Sequence, residues 1–297
     1  MKNLDHFKKI TIVLVTFKSQ HIIEKCLDNL DEKYNKILIE NSNDTNFTDY
    51  LEQKYKNLKC YNTGYDAGFG PAVNIGFEKS KTEYIISMNP DSFPEKGCFE
   101  KLIKTAEHYD QVGMVTPITY VKNNSKESRQ YGYFNKNIKP IKDSNNKLFV
   151  DYVNGNVFLI KKDIIEEIGK FDENIFSEFE EVDFQRRIFN VNKKIIIDFD
   201  AKSQHLEGKS ADPKYDFEMK CETSWHHSWS MFYYYKKHWG FIYAFAQCFP
   251  LAIINILKAF LSILKGNKKN YVIYKLLFLG FLNSLFNKKS FYRAEID

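Results

Sequence analysis

An acid and a histidine follow two apolar runs of the chain, in positions suited to holding a cation. Asp91 comes soon after the apolar run that ends at Met88. Mn²⁺ and Mg²⁺ take oxygen ligands, so an acid at the carboxyl end of a strand is a candidate ligand for a cation that bridges a diphosphate. The alternative is an ordinary turn at residues 89–91. His205 follows a later apolar run and is a candidate second ligand, although a lone histidine is more often structural.

Polar residues also end two earlier apolar runs. Thr16 closes the first run, and Glu40 and Asn41 follow the second. Ligands of parallel α/β sheets bind outside the carboxyl ends of the strands, so these side chains are placed to hydrogen-bond a nucleobase or a ribose. The alternative is that residues 41–44 form only a turn.

A glycine-rich segment, NTGYDAGFGPAVNIG, spans residues 62–76. Gly64, Gly68 and Gly70 permit positive φ and a close approach of the backbone. Pro71 suits the start of a helix, whose N-terminus would face a diphosphate or a base. The spacing matches neither the dinucleotide-binding fingerprint nor the P-loop, and a plain turn is the alternative.

A cluster of acids stands in the segment SEFEEVDFQRR. Glu180, Glu181 and Asp183 fall in the first turn of a predicted helix, where the helix dipole favours acids. Asp183 is at the right spacing to pair with Arg186 or Arg187, which indicates a structural role. Glu180 and Glu181 have no such helical partner, so one of them is a candidate base that takes the proton of a hydroxyl.

The elements that carry these residues alternate between strand and helix. Apolar runs predict strands at 11–17, 36–40, 58–61, 83–88, 113–120, 156–160 and 194–199, and helical spacing predicts helices at 19–30, 47–56, 95–109 and from 71, 163 and 180. This alternation predicts an α/β fold with a mostly parallel, Rossmann-like sheet flanked by helices. The polar residues 123–146 are expected to form a mobile loop.

The composition excludes some classes of protein. The chain has 297 residues, 43% hydrophobic and 27% charged, which suits one large domain with a smaller appendage. Its net charge of +5 suits a phosphorylated substrate or an anionic membrane but does not by itself indicate a nucleic-acid partner. The five cysteines form no C-x-x-C pair, which argues against disulfides and structural zinc. With no visible signal peptide, the sequence predicts a cytoplasmic protein.

The last part of the chain is rich in aromatic, apolar and basic residues. This change in composition predicts a second region at 225–297, after a domain at 1–224. Two apolar stretches, at 241–264 and 271–286, flank the basic loop at 265–270. Pro250 and Lys258 interrupt the first stretch, so we expect helices that lie in the membrane interface rather than span it. The lysines suit the anionic inner face of the cytoplasmic membrane. A buried helical subdomain or the face of a homodimer is the alternative.

Seven segments occur in an order that resembles one family. They are TIVLVTFKS, the ENS turn, NTGYDAGFGPAVNIG, MNPD, VNGNVFLIKKD, FDENIFSEFEEVDFQRRI and QHLEGKS. Together they resemble family-2 glycosyltransferases of the GT-A fold, in particular the rhamnosyltransferase-like branch of bacterial polysaccharide synthesis. The resemblance covers about residues 11–240, and residues 228–240 also resemble the stretch that precedes membrane-associating helices in this branch.

The resemblance implies a reaction and a set of partners. Such enzymes move a sugar from a nucleotide-diphosphate sugar to a hydroxyl of a glycan or lipid-linked acceptor, with inversion in one displacement and a divalent metal, Mn²⁺ or Mg²⁺. The branch implies deoxythymidine-diphosphate rhamnose as the donor. Uridine-diphosphate hexoses and galactofuranose are the alternatives.

The resemblance also assigns residues on the donor side. Thr16 and Glu40 match positions that contact the nucleoside, and Gly68 and Asn74 belong to the loop beside it. Asp91 matches the last acid of the metal-binding D-x-D motif. The first acid of that motif is replaced here by asparagine, a weaker ligand. His205 matches a metal ligand of some members.

On the acceptor side, Gly155 and Asn156 match the lining segment, and Glu181 matches the catalytic base. The family usually has Glu-Asp where this chain has Glu180 and Glu181, and the extra methylene lengthens the reach of Glu181. Glu180 therefore stays the alternative base.

Two other classes of protein stay open. A sugar nucleotidyltransferase would share a similar sheet, but it would carry a G-x-G-x-R-type loop after the first strand, where this chain has residues 18–20 as KSQ. A non-catalytic carbohydrate-binding relative would be favoured if Asp91 or Glu181 were missing, and both are present. The sequence therefore favours the glycosyltransferase.

Overall fold

The computed structural model describes residues 6–121, 126–127, 131–134, 142–206, 208–294 and 296. The chain divides into two compact units. The sheet unit comprises Met1–Phe171 and Phe184–Asp212, and the helical unit comprises Asp172–Asp183 and Pro213–Asp297. The helical unit thus begins before the predicted boundary at 225 and includes an earlier segment of the chain.

Twelve strands lie in the described residues. They are β1 Ile10–Thr16, β2 Asn35–Glu40, β3 Leu58–Asn62, β4 Tyr84–Met88, β5 Ser92–Pro94, β6 Val112–Val121, β7 Lys126–Glu127, β8 Tyr131–Gly132, β9 Lys147–Val150, β10 Tyr152–Val153, β11 Val157–Lys161 and β12 Lys194–His205. Most of the loop predicted at 123–146 lies outside the described residues, and the described part of it includes β7 and β8.

Ten α-helices and one 3₁₀ turn complete the described elements. The helices are α1 His6–Lys9, α2 Ile23–Asn29, α3 Thr45–Lys54, α4 Phe69–Lys79, α5 Cys98–His108, α6 Lys162–Ile168, α7 Glu180–Asn190, α8 Asp216–Trp239, α9 Phe241–Leu264 and α10 Lys268–Leu285, and the 3₁₀ turn is Pro213–Tyr215. Pro71 is inside the first turn of α4, where its missing N–H removes no helical hydrogen bond.

The central sheet has the strand order β3-β2-β1-β4-β11-β6-β12-β5. Strands β1 to β4 pair in parallel, as the alternation of strand and helix predicts. The second half is mixed, because β11 runs antiparallel to both of its neighbours and β5 runs antiparallel to β12. The predicted α/β class is confirmed, with a sheet that is parallel only in part.

Helices cover both faces of this sheet, which explains the continuous apolar runs of its strands. Alternate residues of β1 point to opposite faces, so Leu14 packs in one hydrophobic core and Val13 in the other. Residues of α2, α3 and α5 fill the first core, and residues of α4, α6 and α7 fill the second. A Cβ added to Gly76 of α4 would clash with the side chain of Val13, so glycine permits this close packing.

The helical unit has its own cores between α8, α9 and α10. Helix α10 approaches the backbone of α8 so closely that a Cβ on Gly280 would clash with the carbonyl oxygen of Trp225. Helix α9 coincides with the apolar stretch predicted at 241–264. Within the described residues it alone is long and apolar enough to cross a membrane, with 22% of its apolar window buried, and this is weak evidence for a span.

Candidate active site

The ends of two strands bring Asp91 and His205 together. Strand β5 pairs with the end of β12 in a register that sets His205 opposite Ser92. Nε2 of His205 lies 3.2 Å from Oδ1 of Asp91, and the backbone N–H of Lys209 donates to Oδ2 at 3.1 Å. Asp91 is fully buried. The two metal ligands predicted from the sequence are therefore neighbours.

The hydrogen bonds to Asp91 keep its carboxyl ionised. Burial acts to raise its pKa, but hydrogen bonds and charge from His205, with bonds from Ser210 and the Lys209 amide, act against burial. The net effect is a pKa below the usual value of an aspartate. Asp91 is thus a carboxylate at neutral pH, the form that binds a cation.

The pair suits a divalent cation that the substrate completes. Adjacent ligands of an octahedral cation with bonds of about 2.1 Å lie roughly 3 Å apart, close to the 3.2 Å between Asp91 and His205. The described residues contain no cluster of three or more His, Cys, Asp or Glu side chains that fits a metal. Mg²⁺ commonly takes one or two protein ligands and completes its shell with phosphate oxygens and water. An oxygen and a nitrogen ligand from these residues fit this mode of binding.

Thr16 and Glu40 meet at the ends of β1 and β2, which are neighbours in register. The Thr16 hydroxyl donates to Oε2 of Glu40 at 2.6 Å, and the Ser42 hydroxyl donates to Oε1 at 2.6 Å. Burial raises the pKa of Glu40 although both hydrogen bonds act to lower it. Because two hydroxyls hydrogen-bond to the buried carboxyl of Glu40, its orientation is fixed. A fixed carboxyl suits hydrogen bonding to the polar groups of a bound ligand.

Asn41 fixes the glycine-rich segment before α4. Its Nδ2 donates to Oδ1 of Asp66 at 2.9 Å, and its Oδ1 accepts the N–H of Ala67 at 2.9 Å. Gly68 then caps α4 with a φ of +92°, a conformation that favours glycine. Asp66 was not singled out from the sequence. The Oδ1 of Asp66 accepts a hydrogen bond from the N–H of Gly68 at 3.2 Å, which forms an Asx turn. An aspartate two residues before a glycine is the sequence signal for such a turn.

Asn74 and Asn156 make contacts that hold neighbouring segments. The side chain of Asn74 makes two hydrogen bonds with the backbone of Phe171: Nδ2 donates to the carbonyl oxygen at 3.0 Å, and Oδ1 accepts from the N–H at 2.9 Å. Asn74 therefore has a structural role, and its contact with the nucleotide stays a prediction. The carbonyl oxygen of Asn156 accepts the N–H of Asn89 at 2.9 Å, and Gly155, which precedes it, is buried. The segment predicted to line the acceptor side therefore borders the segment that carries Asp91.

The two candidate bases lie at the start of α7, in the helical unit. Glu180 is 9% exposed, and its Oε2 has no hydrogen-bond partner among the described residues. Burial raises the pKa of Glu180 well above its usual value, and the charges of Glu181 and Glu178 raise it further. Glu181 is half-buried. Two adjacent carboxyls in such different surroundings are typical of acid–base sites.

Asp183 is held by helix α8 rather than by partners on its own helix alone. Asp183 is fully buried, and its Oδ1 accepts a hydrogen bond from Nζ of Lys237 at 2.7 Å. The same Oδ1 lies 2.8 Å from Nε2 of His238. The sequence predicted a structural role with Arg186 or Arg187 as the partner, and the α8 partners were missed because they are remote in sequence. Arg187 donates to the carbonyls of 168–170, which end α6.

Comparisons with known proteins concern the family and the fold of the chain. A family model described as Glycosyl transferase family 2 matches residues 11–169, more than half of the chain. No curated protein has a sequence that matches the chain significantly.

Several solved structures share the fold. The mannosyltransferase PcManGT from Pyrobaculum calidifontis, in complex with GDP-Man and Mn²⁺, is 13% identical with a TM-score of 0.57, over 95% of this chain and 88% of that one. GalNAc-T7 with UDP, GalNAc and Mn²⁺ is 14% identical with a TM-score of 0.56, over 80% of this chain. The match covers 51% of GalNAc-T7, about half its length. S. aureus TarS 1-349 is 11% identical with a TM-score of 0.54, over 94% and 92% of the two chains.

Proposed function

The chain belongs to glycosyl transferase family 2, and from that premise we propose that it transfers a sugar from a nucleoside-diphosphate sugar to an acceptor hydroxyl, with inversion and with a divalent cation. The observation that carries the proposal is the pair formed by Asp91 and His205, 3.2 Å apart at the strand ends. Two of the similar structures contain a nucleotide or nucleotide sugar with Mn²⁺, which supports a nucleotide-sugar donor and a divalent metal.

On the donor side, we assign the nucleoside to the residues at the ends of β1 and β2. Glu40 is held by two hydroxyls, and Asn41 fixes the loop that leads into α4. Asp91 and His205 would hold the cation, which would neutralise charge on the departing diphosphate. The ionised state of Asp91 and the neighbouring imidazole support this division of the site.

In the chemical step, the acceptor hydroxyl oxygen attacks the anomeric carbon from the face opposite the diphosphate. The bond from that carbon to the diphosphate oxygen breaks, and its electron pair leaves with the nucleoside diphosphate. The proton of the hydroxyl passes to a carboxylate, for which we propose Glu181, with Glu180 as the alternative. The raised pKa of Glu180 supports a proton-handling role for this pair of carboxyls.

The finer assignments rest on the family resemblance. We propose rhamnose from deoxythymidine-diphosphate rhamnose as the first donor to test, and a glycan or lipid-linked acceptor lined by Gly155 and Asn156. The buried position of these two residues beside the Asp91 segment supports the acceptor assignment.

We also propose that α9 lies on the inner face of the cytoplasmic membrane. One face of α9 packs in the helical unit, and the other exposes apolar side chains along the length of the helix, from Ile242 at 84% to Leu264 at 68%. Lys265 caps the end of α9, and Lys268 and Lys269 begin α10. An apolar face beside a basic cluster suits the interface of an anionic membrane.

A donor panel tests the proposed activity. Purified chain is incubated with deoxythymidine-, uridine- and guanosine-diphosphate sugars, with Mn²⁺, with Mg²⁺ or with EDTA, and released nucleoside diphosphate is measured. We expect release from one donor that depends on the cation. Pyrophosphate formation from a sugar phosphate and a nucleotide would instead indicate a nucleotidyltransferase, and sugar binding without any release would indicate a non-catalytic relative.

A further inference from the structure

The segment Asp172–Asp183, called the base loop here because it carries Glu180 and Glu181, is tied at both ends to one lysine of α8. Nζ of Lys237 donates to Oδ2 of Asp172 at 2.7 Å and lies 2.7 Å from Oδ1 of Asp183. These two aspartates are the first and last residues of the loop. The ammonium group of Lys237 thus bridges the two ends of the base loop.

Further contacts from α8 support the two ends. The hydroxyl of Tyr233 donates to Asp172 at 3.1 Å, and Nε2 of His238 lies 2.8 Å from Asp183. Burial acts to raise the pKa of Asp172, but hydrogen bonds from Lys237 and Asn174 outweigh it, so its pKa is lowered. Both ends of the base loop therefore have defined partners on α8.

The middle of the loop is held by the preceding turns of the same helix. The hydroxyl of Ser230 donates to the carbonyl of Ser177 at 2.8 Å, and Nδ1 of His227 lies 3.4 Å from Glu178. On α8 the contacts fall at positions 227, 230, 233–234 and 237–238, which repeat every three or four residues and so form one face of the helix. This face of α8 follows the loop from end to end.

The loop needs such support because its backbone is strained directly before the carboxyls. Glu178 and Phe179 have φ values of 64° and 66°, a left-handed conformation that costs a residue other than glycine about 1–2 kcal/mol. Two such residues in succession persist only where the surrounding contacts over-determine them. Phe179 packs against the rings of His227 and Tyr234, at 5.5 Å in each case. The strained turn ends at Glu180, where α7 begins.

We propose that Lys237 is a positioning residue for sugar transfer: by bridging Asp172 and Asp183 it fixes the base loop and so the direction in which Glu180 and Glu181 face the acceptor. This inference rests on the proposed function. Lys237 touches neither carboxyl of the pair in the described contacts, so it acts through the loop. An error of about 1 Å in the placement of a reacting group can reduce turnover by about 100-fold.

The test compares three variants in steady-state kinetics. Lys237→Met removes the charge and keeps most of the stem, and we expect kcat to fall at least about 10-fold while the KM for the donor changes less than about two-fold. Lys237→Arg restores a charged fork that can bond to two carboxylates, and we expect it to recover most of kcat. Lys236→Met is the matched control, because Lys236 donates to Asn287 and is not bonded to the base loop among the described contacts. We expect it to behave as the unmodified chain.

Hydrogen exchange distinguishes an effect of Lys237 on the base loop from an effect on turnover. In Lys237→Met we expect faster amide exchange at 176–183 and unchanged exchange in the core of α8. Unchanged kcat, or a loss that Lys237→Arg does not rescue, would overturn the inference while leaving the proposed function standing. Unchanged exchange in the loop would overturn it as well. Absence of any transfer by the unmodified chain would overturn the proposed function. Faster exchange in Lys237→Met would then show that the contacts of Lys237 with Asp172 and Asp183 have only a structural role.

Discussion

The two units hold their buried carboxyls in opposite ways. In the sheet unit, Asp91 is fully buried, yet its hydrogen bonds lower its pKa. In the helical unit, Glu180 is also buried, but its Oε2 has no hydrogen-bond partner among the described residues and two acids lie nearby. The pKa of Glu180 is strongly raised. Burial penalises the charged form in both cases, so the partners decide the outcome.

The same contrast extends to the backbone. Glu40 ends β2 and Asp91 directly precedes β5, and the registers of these strands set the positions of both residues. Glu180, in contrast, follows two residues with positive φ. A regular strand end gives a fixed ligand, while a strained turn held from outside gives a group whose protonation and direction depend on other residues. This contrast supports the proposal that the sheet unit binds the charged donor and that the base loop moves a proton.

The largest effect is expected on the binding side. Asp91→Asn keeps the shape of the side chain and removes its charge, and we expect transfer to fall by at least about 10³-fold, the upper range for losing one electrostatic contact in a site. Cation-dependent affinity for the donor should fall as well, as measured by calorimetry with and without Mn²⁺. Asp49→Asn, an exposed acid on α3, is the control. Donor affinity that survives unchanged in Asp91→Asn would contradict its role as a ligand.

Glu181→Gln tests the other side of the comparison. We expect donor affinity to be kept and turnover to fall by at least about 100-fold, the lower end of what a general base contributes. Single-turnover kinetics at saturating donor measure this directly. If Glu180→Gln shows this loss and Glu181→Gln does not, the roles of the two glutamates are reversed.

Removing the basic cluster tests the membrane proposal. The triple variant Lys265→Gln, Lys268→Gln and Lys269→Gln should bind anionic vesicles about 10- to 100-fold more weakly, because each lysine near an anionic surface contributes about 1 kcal/mol. Vesicle sedimentation measures the change, with neutral vesicles as the control. Sedimentation that is unaffected by the triple variant and by lipid charge would refute the electrostatic part of the proposal.

The smallest effect is expected on stability. A carboxyl whose pKa is raised by folding leaves the folded state with more bound protons than the unfolded state, so stability falls as pH rises from the unfolded pKa of about 4.3 towards the folded value. Glu180→Gln removes this loss, and we expect its Tm at neutral pH to rise by about 2–4 °C, which corresponds to roughly 1 kcal/mol. Near pH 4 the advantage should shrink. A lower Tm across the whole pH range would contradict the burial of a charged group here.

Local patterns in the sequence predicted the sheet unit better than the helical unit. Thr16, Glu40 and Asp91 were singled out because each lies at or just beyond the end of an apolar run, and strand ends meet at one edge of a sheet. The parallel order of the first four strands also follows from their alternation with helices. The antiparallel β11 was not predicted, because an apolar run does not reveal the direction of a strand.

The base loop was not predicted as part of the helical unit. Its contacts with Tyr233 and Lys237 join residues that are remote in sequence, whereas local spacing points only to partners of Asp183 on its own helix. A signal was present, since Ser230, Tyr233 and Lys237 place polar groups on one face of a helix that is rich in aromatic residues. Positive φ at residues 178 and 179 left no signal, because neither residue is glycine or asparagine.

The most direct test of the account is the coordination of Mn²⁺ in solution. Electron paramagnetic resonance of Mn²⁺ with the chain and a nucleoside diphosphate should show a bound ion with nitrogen coupling from His205. The coupling should vanish in His205→Gln, and binding should be lost in Asp91→Asn. Mn²⁺ bound without nitrogen coupling, or bound equally well by Asp91→Asn, would contradict the assignment of these two residues as the metal site.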